Sequence, residues 1–264
     1  MPVHWYYDTA ALERDYGEVR DYLAPKNPHP DSILWRSNYT APNPKGDILH
    51  DQAQYWGRRG VHYHQFLRAG ENTVNLKLCR VAWEQMEDAG GFDPDRFLDR
   101  YVHFMTDADS HRDTYLEEYH RNFFTRYARG INPRKCATEE KHVGGLCALF
   151  PVLIRYADDA VLARLNALER LRLTHPGAKM ERSAELICDL FFDVLGGRPL
   201  GAAVEERVFR DHPRYRKLPW DALLAEPTRR TIREKIGTVC YVDSAVPAVC
   251  YLARKYADDA ETAL

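Results

Sequence analysis

The chain has 264 residues, 45% hydrophobic and 29% charged, which is enough apolar material for a packed core and argues against disorder. Lys plus Arg number 37 against 39 Asp plus Glu, so a formal charge of -2 excludes recruitment of nucleic acid or acidic lipid by bulk electrostatics. The longest apolar run, Val143 to Ile154, carries two glycines and a proline and falls well short of the roughly 20 residues of a spanning helix, so no membrane segment is predicted.

In chain order, Met1 to Asp8 shows no basic stretch followed by an apolar one, which predicts no export signal and a cytoplasmic location. The first 45 residues are broken by Pro25, Pro28, Pro30, Pro42 and Pro44 among scattered aromatics and read as an irregular N-terminal layer. From about Asp47 the pattern becomes helix after helix. Leu76, Cys79, Val81, Trp83 and Met86 recur at helical spacing, and Phe97, Tyr101, Phe104 and Met105 follow the start signal Asp93-Pro94. Tyr115, Tyr119, Phe123, Phe124 and Tyr127 mark a further helix, closed by Gly130 and Pro133. Apolar helices are then predicted at about 143–156, 159–172, 178–195, 200–209, 220–226 and 244–256. Alternating strand-type runs are nearly missing, and neither a repeat nor a linker divides the chain. The expected architecture is all-α, a single globular helical domain over 1–264. The six cysteines contain no Cys-x-x-Cys pair and sit mostly in apolar stretches, as reduced core residues do.

Several short patterns carry possible chemistry. Asp107, Asp109, His111 and Asp113, with Glu118 at the twelfth place, have the oxygen spacing of a calcium loop. Arg112 occupies the sharp-turn glycine position, however, so the run reads as a loop with capping residues. His62-x-His64 reads as a polar surface pair, since no third ligand lies nearby. Gly144-Gly145, after Lys141-His142, either lets backbone amides approach an anion or permits close packing. P-loop, dinucleotide-fold and nucleophile-elbow motifs are absent. Glu71-Asn72-Thr73 places a carboxylate and an amide oxygen at a helix start, where they could meet a cation or a sugar hydroxyl or simply form an acidic first turn.

Taken in order, several segments resemble the ADP-ribosylglycohydrolase family, in the branch that also holds the J-type lens crystallins. They are His4-Trp5-Tyr6-Tyr7-Asp8, Gly46-Asp47 with Asp51-Gln52, the helix from Glu71, and Asp113-Thr114-Tyr115. Lys141-His142-x-Gly144-Gly145, Leu173-Thr174-His175-Pro176 and Tyr241-Val242-Asp243-Ser244-x-x-Pro247-Ala248 complete the set, which spans nearly the whole chain.

The resemblance implies an all-α fold and cleavage of the glycosidic bond between ADP-ribose and an acceptor, with magnesium. Gly70-Glu71-Asn72-Thr73 falls where the family has its Thr-Asp-Asp-Thr metal motif, so Glu71, Asn72 and Thr73 become the metal candidates, with one carboxylate where the family has two. The family's second acidic motif and its first helix have no counterpart in this sequence. That difference implies weak or lost magnesium binding, and uncovered apolar surface that could support a homo-oligomer. Glu71 is the leading catalytic carboxylate. Asp47 and Asp51 stand in reserve, because at i,i+4 after Gly46 they would share one helix face. The resemblance assigns Gly144 and Gly145 to the phosphates, His175 to the ribose or pyrophosphate, and Tyr241 to the adenosine or distal ribose. The expected partner is therefore ADP-ribose or an ADP-ribosylated acceptor. Two other readings use the same residues: a non-catalytic relative, and an enzyme of this scaffold acting on another nucleoside or sugar-linked metabolite.

Overall fold

Side-chain carboxylates and prolines set several of the helix starts. In the computed structural model, which describes residues 8–26, 28–29, 32–237 and 239–263, Asp93 accepts hydrogen bonds from the Asp95 and Arg96 amides and Pro94 opens the helix behind it. Asp159 does the same for Val161 and Leu162. The regular elements among the described residues are all helical, and extended pairing is confined to two isolated bridges, His29 with Gly60 and His142 with Tyr241. The all-α expectation is met. The chain divides into two compact units, residues 1–138 and 139–264, each taken by itself below.

The first unit begins with α1 (Thr9–Tyr16), capped by the Asp8 carboxylate and closed by Gly17. This helix lies inside the segment read as irregular. Among its described side chains Ala11 alone is buried, so it has no apolar stripe to announce it. The rest of the His4 to Asp8 segment lies outside the described residues. The stretch from Asp47 onward is expected to open the helical array, but as far as Thr73 it forms turns and irregular chain around one 3₁₀ segment, His50–Tyr55. Gly57, Gly60 and Gly70 take φ of 81°, 74° and 77° there, which interrupts α-helix propagation.

The long helices α2 (Val74–Ala89), α3 (Pro94–Thr106) and α4 (Glu118–Ala128) follow. Tyr101 on α3 meets Phe123 and Phe124 of α4 at ring separations of 5.0 and 5.4 Å, and such aromatic pairs add to simple area burial. The buried face of α2 is Val74, Leu78, Val81, Ala82, Gln85 and Met86. Leu76, placed in the core by periodicity, is 44% exposed. Apolar residues occur on more than one side of α2, so spacing alone could not choose between them.

In the second unit a 3₁₀ turn (Val143–Ala148) runs into α5 (Leu149–Arg155), followed by α6 (Ala160–Arg172) and α7 (Ala178–Leu195). Next come α8 (Leu200–Val204), prolonged by a π-turn to Arg210, and α9 (Trp220–Ala225). The unit ends with α10 (Thr228–Arg230), itself prolonged by a π-turn to Ile236, then α11 (Val242–Lys255) and α12 (Ala260–Ala263). Helix α7 is the hub, packed on α5, α6, α8, α11 and the 143–148 turn. The predicted bounds in this half are close. The segment from Thr228 to Ile236 escaped prediction because it is mostly Arg, Lys, Glu and Thr. All six cysteines are free thiols, and burial pushes those of Cys136 and Cys188 up to about 11 and that of Cys250 to about 12. Among the described residues no helix is long and apolar enough to cross a membrane.

Candidate functional site

The start of α2 brings together Glu71, Lys77 and Asp113. Glu71 lies just before the helix with its side chain 34% exposed, and its Oε1 accepts from the Lys77 ammonium at 2.9 Å. Its Oε2 accepts the Arg68 amide N–H at 3.1 Å. Burial alone would raise the Glu71 carboxyl, but Lys77 and the Arg68 amide outweigh it and hold it below the usual carboxylate range. Glu71 is therefore ionised at neutral pH.

The same ammonium donates to Asp113 Oδ2 at 3.3 Å. Asp113 is fully buried, and its Oδ1 accepts the Val74 amide at 3.2 Å. It thus caps α2 from a segment 39 residues away, while Thr73 at the N-cap makes no side-chain capping bond. Burial raises the Asp113 carboxyl to about 6 against the pull of Lys77 and the Val74 amide. His64 Nδ1 lies 3.7 Å from Asp113 Oδ1.

A second polar chain adjoins this one. Asn75 donates to Glu117 Oε1 at 2.9 Å and accepts from the Tyr119 hydroxyl, while Glu117 Oε2 lies 3.9 Å from His120 Nε2. Tyr101 Oη and His120 Nδ1 share a hydrogen bond of 2.7 Å. Burial raises the Glu117 carboxyl to about 7, opposed by backbone and Asn75 hydrogen bonds. A carboxyl raised above its unfolded value of about 4.3 adds stability when protonated, and that stability is lost as pH rises through its folded pKa. Glu117→Gln keeps an acceptor for Asn75 and removes the charge. It should gain on the unmodified chain by on the order of 2 kcal/mol between pH 5 and pH 8 in urea unfolding; a constant difference across that range would show that Glu117 does not titrate there.

Of the predicted metal candidates, Glu71 joins this cluster, whereas the Asn72 side chain is exposed and the Thr73 carbonyl accepts the Leu76 and Lys77 amides. Magnesium prefers octahedral oxygen ligands at roughly 2.0–2.1 Å and usually keeps part of its water shell. Here an ammonium lies between the two carboxylates, and unit charges about 4 Å apart interact by about 4 kcal/mol at an effective dielectric constant of about 20, so its repulsion of a dication, about twice that, would cancel the attraction of one of the two carboxylates. Among the described residues no three His, Cys, Asp or Glu side chains converge as metal ligands would. With Lys77 in this position, Glu71, Asn72 and Thr73 do not fit magnesium.

Asp47 and Asp51 do not share a helix face, because the chain between them turns instead of continuing as α-helix. Asp47 caps the turn, accepting the Leu49 and His50 amides at 3.2 and 2.9 Å. It lines a cleft of about 590 Å³ with Tyr39, Asn43, Pro44 and His50. Asp51 is not among the residues lining that cleft and lies 3.6 Å from exposed Arg112. His62 and His64 are not a surface pair either: both are buried, and the His62 ring centroid lies 4.6 Å from that of His29.

In the second unit, the strap before the Val143–Ala148 turn runs alongside the start of α11. Val143 donates to the Cys240 carbonyl at 2.8 Å, and Val242 donates to the Lys141 carbonyl at 2.9 Å. Tyr241 is 38% exposed there, with the Lys141 ammonium 4.4 Å from its ring centroid. The Gly144 amide donates to His142 Nδ1 at 3.1 Å and the Gly145 amide to the His142 carbonyl at 3.3 Å. His175 is buried against Gly145: a β-carbon added at Gly145 would fall 2.6 Å from its Cγ. Burial, then the charge of Arg170, hold the His175 imidazole neutral, well below its usual range. A cleft of about 420 Å³ lies along α7, and its charges largely pair, Asp243 with both Lys179 and Arg214.

No motif in the sequence marks Lys77, Asn75, Asp113 and Glu117 as site residues. Asp113 appeared only within the calcium-like run and the family-like segments. A polar Asn75 and Lys77 in the first turn of an otherwise amphipathic helix were the available signal. In the comparison with known families, the ADP-ribosylglycohydrolase family model matches residues 1–264. No curated protein and no solved structure matches the chain.

Proposed function

Because the chain belongs to the ADP-ribosylglycohydrolase family, we propose that it binds the ADP-ribose unit of an ADP-ribosylated acceptor and hydrolyses the bond at its anomeric carbon. The observation that supports this most is Glu71, a carboxylate kept ionised at the start of α2 by Lys77 and the Arg68 amide yet open to solvent on one side. A carboxylate so held can orient water and accept its proton as the glycosidic bond breaks through an oxocarbenium-like transition state. Magnesium, in the family, would hold ribose hydroxyls; no step here is assigned to it, since the residues around Glu71 do not fit it. In the second unit, taken by itself, the Lys141 ammonium stands over the exposed Tyr241 ring. His175, neutral and packed on Gly145, supports the Gly144-Gly145 turn from behind.

Calorimetric titration with ADP-ribose should give saturable binding. Product release from peptides carrying N-linked or O-linked ADP-ribose should fall about 100-fold or more in Glu71→Gln, the range expected for loss of a general base, with ADP-ribose affinity little changed. Equal rates in Glu71→Gln and the unmodified chain would remove Glu71 from the chemistry. Binding with no hydrolysis of any linkage would identify a non-catalytic relative.

A further inference from the structure

We infer that the Lys77 ammonium is the built-in cation of the α2 start, taking the position between Glu71 and Asp113 that a divalent ion would otherwise need. It contacts a carboxylate oxygen of each, at 2.9 and 3.3 Å, and its side chain is only 14% exposed. The partner carboxylate of Asp113 is wholly buried, so this charge has no access to solvent counter-ions. The helix itself does not favour a cation here: Lys77 is the fourth residue of α2, and the N-terminal turn of a helix carries the positive end of the macrodipole. A lysine at that place is retained by the two carboxylates, whose oxygens also take the Arg68 and Val74 amides. The donors that could form a metal shell are thus already engaged by one intramolecular ammonium and two backbone amides. The inference concerns only charge at the α2 start and stands apart from whether the chain hydrolyses ADP-ribosyl bonds.

The test uses Mn²⁺ alone as the probe, followed by water-proton relaxation on the full chain. The unmodified protein and Glu71→Gln should give the same titration, because no ion is held through Glu71. Lys77→Gln should acquire Mn²⁺ binding tighter by roughly tenfold or more, and adding Glu71→Gln to it should abolish the gain. Mn²⁺ binding to the unmodified chain that Glu71→Gln removes would overturn the inference, and this comparison decides the matter even where Lys77→Gln does not fold. A folded Lys77→Gln that gains no Mn²⁺ binding would also overturn it.

Discussion

Lys77→Met should destabilise the chain by about 3–5 kcal/mol at pH 8, the usual cost of removing one member of a buried ion pair, and by clearly less at pH 5. Asp113 is fully buried, and Lys77 is the only cationic side chain within 3.5 Å of its oxygens among the described contacts. In the unmodified chain its carboxyl is raised to about 6 even with that ammonium present, because burial outweighs it. Without Lys77 the carboxyl rises further, so at pH 8 the variant must either bury an unpaired charge or take up a proton against the solvent. The sign follows from the raised pKa: a folded state that binds its proton more tightly than the unfolded chain gains stability as pH falls and loses it as pH rises through the folded pKa. Urea unfolding at pH 5 and pH 8 measures the difference, and an equal loss at both values would assign Lys77 to packing and not to charge. Adding Asp113→Asn should restore most of the loss at pH 8, which isolates the pair from the rest of the cluster.

Gly145→Ala should cost about 3 kcal/mol or more, the upper end of what overpacking usually costs. The added β-carbon would sit 2.6 Å from His175 Cγ, 2.7 Å from its Cδ2 and 3.0 Å from its Cβ. Cβ and Cγ lie on the axis about which the ring turns, so rotation of the imidazole can move Cδ2 but cannot clear these two. His175 is also held in place, its Nδ1 bonded to Thr174 Oγ1 at 2.9 Å while Arg170 donates to the same oxygen at 3.3 Å. The backbone at Gly145 is not in the left-handed region, so the penalty is steric and specific to this neighbour. Thermal unfolding of Gly145→Ala, His175→Ala and the double variant would check it: the second substitution should recover part of the first. Full additivity of the two losses would show that the contact does not decide the need for glycine.

Much of the helical layout was legible because it is local. Asp93-Pro94 before Phe97, Leu98 and Tyr101, and Asp159 before Ala163 and Ala167, state a cap and a buried stripe within one or two turns. Where the local statement was weak, the reading was incomplete. Helix α1 has a cap at each end but scarcely any buried side chain, and the turn from Thr228 to Ile236 is charged along its length. The 47–73 stretch has polar spacing that suits a helix, but Asp47 is extended and His50 takes a φ of 50°, which is why Asp47 and Asp51 share no helix face, and Gly57, Gly60 and Gly70 at positive φ interrupt the chain beyond them.

The sequence by itself determined the all-α class, the place of most helices and, through ordered short segments, the family. It also singled out Glu71, Gly145 and His175 as residues worth attention. What it could not determine is what those residues do to one another. Asp113 reaches Lys77 across 36 positions and caps α2 across 39, while Gly145 and His175 meet because a 3₁₀ turn and the end of α6 are folded together. Whether Glu71 faces a metal or an ammonium, and whether a glycine presents its amide or yields room to a ring, depends on contacts between distant segments. Helix periodicity and capping act over a few residues, whereas burial, charge pairing and steric exclusion belong to the packed chain, and only the tertiary structure decided them.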